Sequence, residues 1–258
     1  MIAVVVLTHS RVHLLRQCVE NVLARTTQTT EILLWDNAST DGTGAYLEAL
    51  DDPRVHVVRH ARNIGVNAYA RAFALTSAPR MIELDDDVVD APHGWDATLL
   101  DAFERLPDVG YLQANLVDDE NDEGSREIYE TNRDLYVERE VAGLRLLEGP
   151  TGGVCTITSR ELYDRVGGFR EHRRQAFWNE DGAYIDDIGR LGYRAAILAD
   201  LEVRHAGGPY YSALAPEKIA FYARKRRAQA RRAAARRALV RVPGAAALLA
   251  RRNGRQVA

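Results

Sequence analysis

Between Ile2 and Ala114, short apolar runs alternate with stretches of helical periodicity, and that order leaves few folds open. Ile2 to Leu7 reads as a strand. Arg11 to Ala24 follows as a helix with Leu14, Leu15, Cys18, Val19, Val22 and Leu23 on one face. Glu31 to Trp35 is a second strand, ending at Asp36 and Asn37. Gly44 to Leu50 reads as a short helix, Val55 to Val58 as a third strand and Asn67 to Thr76 as a third helix. A fourth strand ends in three aspartates, and a helix from Trp95 to Leu106 and a strand from Val109 to Ala114 complete the series. Strands separated by helical crossovers pair in parallel, so the chain is expected to be α/β, a mainly parallel central sheet flanked by helices. Ligands of such sheets bind beyond the carboxyl ends of the strands. Thr8, Asp36, Asn37 and the aspartate cluster all fall there.

The run Met81-Ile82-Glu83-Leu84-Asp85-Asp86-Asp87-Val88-Val89 joins an apolar strand to three carboxylates, which repel one another unless something positive sits among them. Mg2+ and Mn2+ take oxygen ligands and typically share one or two protein carboxylates with substrate phosphates. The run therefore suggests a metal and diphosphate site. A solvated strand exit would carry the same three residues.

With 258 residues, 46% of them hydrophobic, the chain can bury a sizeable core. Cys18 and Cys155 have no paired spacing that would suggest zinc or a disulfide framework, which fits a reducing cytoplasm. The run from Ile2 to Leu7 lacks a basic flank and is too short for a signal peptide or a membrane span. The net charge of −3 conceals an asymmetry: from Lys218 onward there are 13 Lys or Arg and no acid, so the body is strongly acidic and the tail basic. Pro216 is expected to start a long helix in that tail. Its Arg pairs recur every five residues, moving about 140° round the helix each time, so they make no single basic face. What remains is a diffuse attraction to an anionic partner such as a membrane surface. Nucleic acid is disfavoured because the body is acidic and no reader motif occurs.

Several motifs in register then point to one family. They are Thr8-His9-Ser10-Arg11 after the first strand, Trp35-Asp36-Asn37-Ala38-Ser39-Thr40-Asp41-Gly42 after the second, Asn63-Ile64-Gly65 before a helix, and the aspartate cluster. Gly152-Gly153, Gly167-Gly168-Phe169, Trp178-Asn179-Glu180-Asp181 and His205 follow. Together they resemble the family 2 glycosyltransferases with the GT-A fold, over roughly residues 1 to 210. The resemblance implies a glycosyltransferase domain over 1–215, with a nucleotide-binding half (1–115) and an acceptor and catalytic half (116–215), followed by a basic helical extension (216–258).

It also implies roles. Thr8, His9, Asp36, Asn63 and Arg71 would face the donor nucleotide, with Asp36 accepting a hydrogen bond from the base. Ser39, Thr40 and Asp41 are read as turn chemistry. Family members often carry Tyr-Asn where this chain has His9-Ser10, leaving His9 as the ring that could stack on the base. Asp85 and Asp87 form the Asp-x-Asp pair of the metal site, with Asp87 the direct ligand and His205 completing it, Asp85 also facing the donor, and Asp86 turned toward the donor or to solvent. An imidazole ligand favours Mn2+ over Mg2+. Asp181 matches the family's general base, although Glu180-Asp181 also suits a helix N-terminus, here Asp181 to Leu191 closed by Gly192. Gly152, Gly153, Trp178 and Glu180 would line the acceptor. The glycines also suit a tight turn, and Trp178 is either a sugar platform or core.

Between Asn115 and Glu148 the periodicity fades around an acidic run, Asp118 to Glu123, and acceptor specificity is expected there. A strand from Val154 to Thr158 and a helix capped by Ser159 follow. The Gln-x-x-Arg-Trp motif and membrane helices of processive members are absent from this sequence. The expected activity is an inverting, metal-dependent transfer of one sugar from a nucleotide diphosphate sugar, UDP-linked, to a hydroxyl of a glycan, lipid-linked or natural-product acceptor, in the cytoplasm or peripherally at the inner face of the membrane. Two alternatives are a sugar nucleotidyltransferase, which would want a Gly-rich basic loop after the first strand, and an idle sugar-nucleotide-binding scaffold, which would have lost Asp87 or Asp181.

Overall fold

The computed structural model describes residues 1–118 and 135–206, and Arg227. The chain divides into two units, Met1–Leu214 and Ala215–Ala258. Everything below belongs to the first; the acidic run beyond Asp118 and the basic helix expected after Pro216 lie outside the described residues, Arg227 apart.

The elements in chain order are β1 (Ile2–Thr8), α1 (Val12–Arg25), β2 (Thr29–Asp36), α2 (Thr43–Glu48), β3 (Val55–Arg59), α3 (Asn67–Phe73), β4 (Arg80–Asp85), β5 (Val88–Asp90), α4 (Trp95–Glu104) and β6 (Val109–Asp118). Then come β7 (Val137–Val141), β8 (Leu144–Glu148), β9 (Cys155–Ser159), α5 (Arg160–Val166), α6 (Glu180–Arg190) and β10 (Arg194–His205). They build one sheet in the order β3-β2-β1-β4-β9-β6-β10-β8-β7, with β5 paired to β10. Strands β3, β2, β1 and β4 run parallel, and β10 runs parallel to β6. The rest makes the sheet mixed. β9 begins with Cys155 beside Leu84, near the end of β4, so it can only run back antiparallel between β4 and β6.

Strand alternation divides the core between two faces. Val4, Val6, Ile32, Leu34, Ile82 and Leu84 pack with Leu15, Cys18 and Val22 of α1, Leu47 of α2, and Trp95 and Leu99 of α4. Val5, Leu33, Trp35, Met81 and Tyr111 pack with Tyr69 and Phe73 of α3, Leu162 and Tyr163 of α5, and Tyr184 and Ile188 of α6. Each such side chain contributes about 1.5–3 kcal/mol over exposure, and the two layers hold every strand that reaches the site.

Two elements depart from what periodicity suggested. The stretch before Glu148 contains a hairpin, β7–β8, whose two-residue turn places Ala142 at φ 51° and Gly143 at φ 70°, the positive pair of a type I′ turn. Its outer strand is exposed along Val137 to Glu140, so no alternating apolar signal marks it. Arg194 to Leu198 reads as a short strand, but β10 continues past Leu198, with a shift in its pairing register with β6 between Leu198 and Glu202, and the extra length carries the chain to His205.

Asp96, fully buried in the first turn of α4, ties the α1–β2 connection to that helix. Its oxygens accept from the backbone N–H of Thr27, Gln28 and Thr29 at 2.8–3.1 Å and from the Thr29 hydroxyl at 2.8 Å. Burial would raise its pKa, but these bonds overcome that and hold it below the ordinary value. Since the folded pKa is depressed, the stabilisation is present above the unfolded carboxylate range and is lost as pH falls through the folded value. Asp96→Ala strands several buried donors and is expected to cost about 3 kcal/mol. Urea unfolding at neutral pH and at pH 3 checks this: the gap between variant and wild type should narrow at the lower pH.

Candidate active site

β1 and β4 are neighbours in register, with Leu7 opposite Asp85, so the residues following each strand meet at one edge of the sheet. Asp85 Oδ1 accepts from the Tyr69 hydroxyl at 2.9 Å. Asp86 turns inward rather than to solvent and is fully buried; its Oδ2 accepts from the Thr8 hydroxyl at 2.6 Å and its Oδ1 from Arg11 Nη2. Arg11 Nη1 donates to Asp87 Oδ2 at 2.8 Å, and His205 Nε2 stands 3.1 Å from Asp87 Oδ1. β10 brings His205 here by pairing with Val88 of β5, just beyond the aspartates.

One ligand atom from each of Asp85, Asp87 and His205 lies within 4.8 Å of the other two. Two carboxylates and an imidazole at that spacing fit a divalent cation, and the imidazole suits Mn2+. Burial pushes the Asp86 carboxyl up to about 6, with Arg11 and Thr8 pulling it down and Asp87 and Asp85 pushing it further up. For Arg11 the balance reverses: burial disfavours its charge, but Asp86, Asp87 and Asp85 outweigh burial and its pKa rises.

The expected donor side lies at the ends of β1 and β2. Asp36 is buried; its Oδ1 accepts from Ser39 N–H at 2.8 Å and its Oδ2 is 3.6 Å from Arg59 Nε. His9 Nδ1 is 3.0 Å from the Asn37 carbonyl oxygen, which can only accept, so that nitrogen carries the proton. Asn63 Oδ1 accepts from Asn37 Nδ2 at 3.0 Å and from Gly65 N–H at 2.8 Å. Asp41 accepts from Val12 N–H and Thr43 N–H, each at 3.0 Å, which is turn and helix-start chemistry. Arg71 does not join these groups. It lies on the exposed side of α3 in a two-point pair with Glu171 at 3.0 and 3.1 Å.

Asp181 lies in the first turn of α6, and its Oδ1 accepts from Gly182 N–H at 2.7 Å. A Cβ added to Gly152 would stand 3.1 Å from Asp181 Oδ2, so bare backbone borders the carboxylate. That backbone is held from the sheet: Gln113 Oε1 accepts from Gly152 N–H and Thr156 Oγ1 donates to its carbonyl, both at 2.7 Å. A Cβ on Gly153 would collide with Glu83 Oε1 at 2.1 Å. Glu83 is buried on β4, accepts from the Tyr111 hydroxyl at 2.5 Å, and is pushed well up in pKa by burial, Glu180 and Asp181, against that hydrogen bond. Glu180 is buried beside Asp181 in sequence.

Trp178 is half-buried, and its indole Nε1 donates to Asn67 Oδ1 at 3.1 Å. Asn67 also accepts from His172 N–H at 2.7 Å and donates to the carbonyls of Ile64 and Gln175, each at 3.1 Å. It thereby ties the Asn63-Ile64-Gly65 turn to the loop that leads into α6.

Arg11, Glu83, Tyr69 and Asn67 carried no assigned role in the sequence, although Arg11 and Glu83 stand inside its motifs. For Arg11 a signal existed. Three adjacent carboxylates demand positive charge, and the nearest arginine after β1 supplies it as well as a metal would.

A family model described as Glycosyl transferase family 2 matches residues 3–167. No curated protein matches the chain. Among solved structures, mannosyltransferase PcManGT from Pyrobaculum calidifontis, in complex with GDP-Man and Mn2+, is 21% identical with a TM-score of 0.59, over 80% of this chain and 56% of its own. GalNAc-T7 with UDP, GalNAc and Mn2+ is 17% identical with a TM-score of 0.60, over 81% of this chain and 44% of its own. S. aureus TarS 1-349 in complex with UDP-GlcNAc is 15% identical with a TM-score of 0.59, over 81% and 59%. At these identities the likeness is one of fold, and this chain matches about half the length of each neighbour.

Proposed function

This chain belongs to glycosyl transferase family 2, and from that premise we propose that it transfers one sugar from a nucleoside diphosphate sugar, UDP-linked, to an acceptor hydroxyl with inversion at the anomeric carbon. The observation that carries the reading is the convergence of Asp85, Asp87 and His205 at the strand ends. Nucleotide sugars or nucleotides accompany the three neighbours named above, and Mn2+ accompanies two of them. We assign Asp85, Asp87 and His205 to hold a divalent cation, Mn2+ or Mg2+. When bound, such an ion stabilises the negative charge that collects on a departing diphosphate.

The protein's own groups supply the rest. We assign Asp36 to accept from the N–H edge of a base, with His9 and Asn63 both held on the adjacent Asn37. Asp181 takes the proton of the acceptor hydroxyl as its oxygen bonds to the anomeric carbon, while the bond from that carbon to the diphosphate breaks. Attack from the side opposite the leaving group inverts the centre and needs no covalent enzyme intermediate. Gly152 leaves room at the base, and Trp178, Glu180 and Gly153 border the acceptor.

The acceptor is a hydroxyl of a glycan, lipid-linked or natural-product molecule. We place the glycosyltransferase domain over 1–215, with 216–258 a basic extension drawn weakly to anionic membrane, and the protein in the cytoplasm or at the inner membrane face. Among the described residues no helix is long and apolar enough to cross a membrane.

Calorimetric titration with UDP, GDP, dTDP and CDP, each with Mn2+ and with EDTA, tests the reading. UDP should bind with Mn2+ and lose at least about tenfold in affinity with EDTA or in Asp87→Ala, a loss of about 1.4 kcal/mol. Preference for another nucleotide would overturn the UDP assignment, and failure to bind any of the four would overturn the site.

A further inference from the structure

Three consecutive carboxylates in a half-closed site carry a repulsion that must be met before any ion arrives. Arg11 meets it. Its side chain is only 16% exposed, and its terminal nitrogens divide between Asp86 Oδ1 and Asp87 Oδ2. A planar guanidinium suits two acceptors side by side and stays protonated at any pH the fold survives. Asp87 is thereby shared, with Oδ2 facing Arg11 and Oδ1 3.1 Å from His205 Nε2, while the residue as a whole belongs to the group with Asp85 and His205. Asp86 is given over to the protein, with one oxygen on Thr8 and the other on Arg11.

We propose that Arg11 is a resident counter-cation of the acidic cluster. It holds Asp86 and Asp87 in place when no metal is bound and opposes the charge of a bound metal across Asp87. Only the identity of the incoming ion rests on the glycosyltransferase reading. The consequence runs against the usual effect of losing a polar residue in a site: without Arg11 the cluster becomes less stable alone and more avid for a cation.

The test uses full-length wild type, Arg11→Met and Arg11→Lys, in thermal unfolding with EDTA or saturating Mn2+ and in calorimetric Mn2+ titration without nucleotide. In EDTA, Arg11→Met should unfold about 5 °C or more below wild type, and Mn2+ should close most of that gap. Its Mn2+ affinity should rise on the order of tenfold as the opposing charge is removed. Arg11→Lys keeps the charge without the fork and should hold its Mn2+ affinity within about threefold of wild type.

An Arg11→Met protein as stable as wild type in EDTA, or with unchanged or weaker Mn2+ affinity, overturns the proposal; so does Arg11→Lys matching Arg11→Met in Mn2+ affinity. If Arg11→Met does not fold in EDTA, folding on addition of Mn2+ supports the proposal and continued failure overturns it. The EDTA arm involves neither metal nor nucleotide, so it separates failure of the Arg11 role from failure of the glycosyltransferase reading.

Discussion

Asp181→Asn should reduce transfer by about 10³-fold while leaving Mn2+-dependent nucleotide affinity within about threefold of wild type, because a general base contributes 10²–10⁴ to the chemical step and little to donor binding. The substitution preserves shape, and the amide oxygen can still accept from Gly182 N–H, which stands 2.7 Å from Asp181 Oδ1. What is lost is a group able to take a proton at neutral pH. Gly152, whose added Cβ would lie 3.1 Å from Asp181 Oδ2, should keep its position because Gln113 and Thr156 hold it from the sheet. Initial rates of nucleoside diphosphate release with acceptor, set beside calorimetric nucleotide affinity, separate the two quantities. Wild-type turnover in Asp181→Asn would remove Asp181 from the mechanism.

Gly65→Ala should lower the melting temperature by roughly 6–12 °C and cut transfer at least about tenfold. The position has φ +60°, and an added Cβ would stand 1.8 Å from the carbonyl oxygen of Ala176 and 2.4 Å from its carbon. That obstacle is backbone, so no side-chain rotation relieves it, and the same carbonyl accepts from Val66 N–H at 2.8 Å. The left-handed conformation costs an alanine about 1 kcal/mol, and forced displacement of a packed neighbour adds roughly 1–3 kcal/mol. In a unit of this size each kcal/mol is worth about 2–4 °C. The displaced loop carries Trp178 and leads into α6, so the damage should reach Asp181. Thermal unfolding and steady-state rates decide the matter, and a Gly65→Ala protein with wild-type stability would contradict the packing of Ala176 on this turn.

The first half of the fold was legible because β1, β2 and β4 are short apolar runs between amphipathic helices, and burial on both sheet faces requires that pattern. The place of β9 was not legible. Element order says nothing about a strand that starts beside the end of another and runs back, and Cys155 to Thr158 reads the same in either direction. The β7–β8 hairpin was hidden by its exposure and by an Ala-Gly turn in place of the stronger Asn-Gly signal.

At the site, motif context singled out Asp85, Asp87 and His205, which the fold brings together, and gave Asp181 its proposed role, whereas Arg11 and Glu83 were given none. An arginine at the start of a helix looks solvated, and a glutamate inside an apolar run looks like an interruption. Both carry their meaning through neighbours distant in sequence: Asp86 and Asp87 for Arg11, and Tyr111 and Gly153 for Glu83.

The ordering of the chain in time gives the long β10 a further consequence. As the polypeptide emerges, Asp85 and Asp87 appear at and just beyond the end of β4, but the His205 imidazole comes only with the end of β10, between β6 and β8. A chain halted earlier could form the parallel strands and the turns after β1 and β2 yet lack His205. On the proposed cation site, the third ligand is therefore withheld from nascent and truncated forms and arrives with the strand that joins β6 to the β7–β8 hairpin.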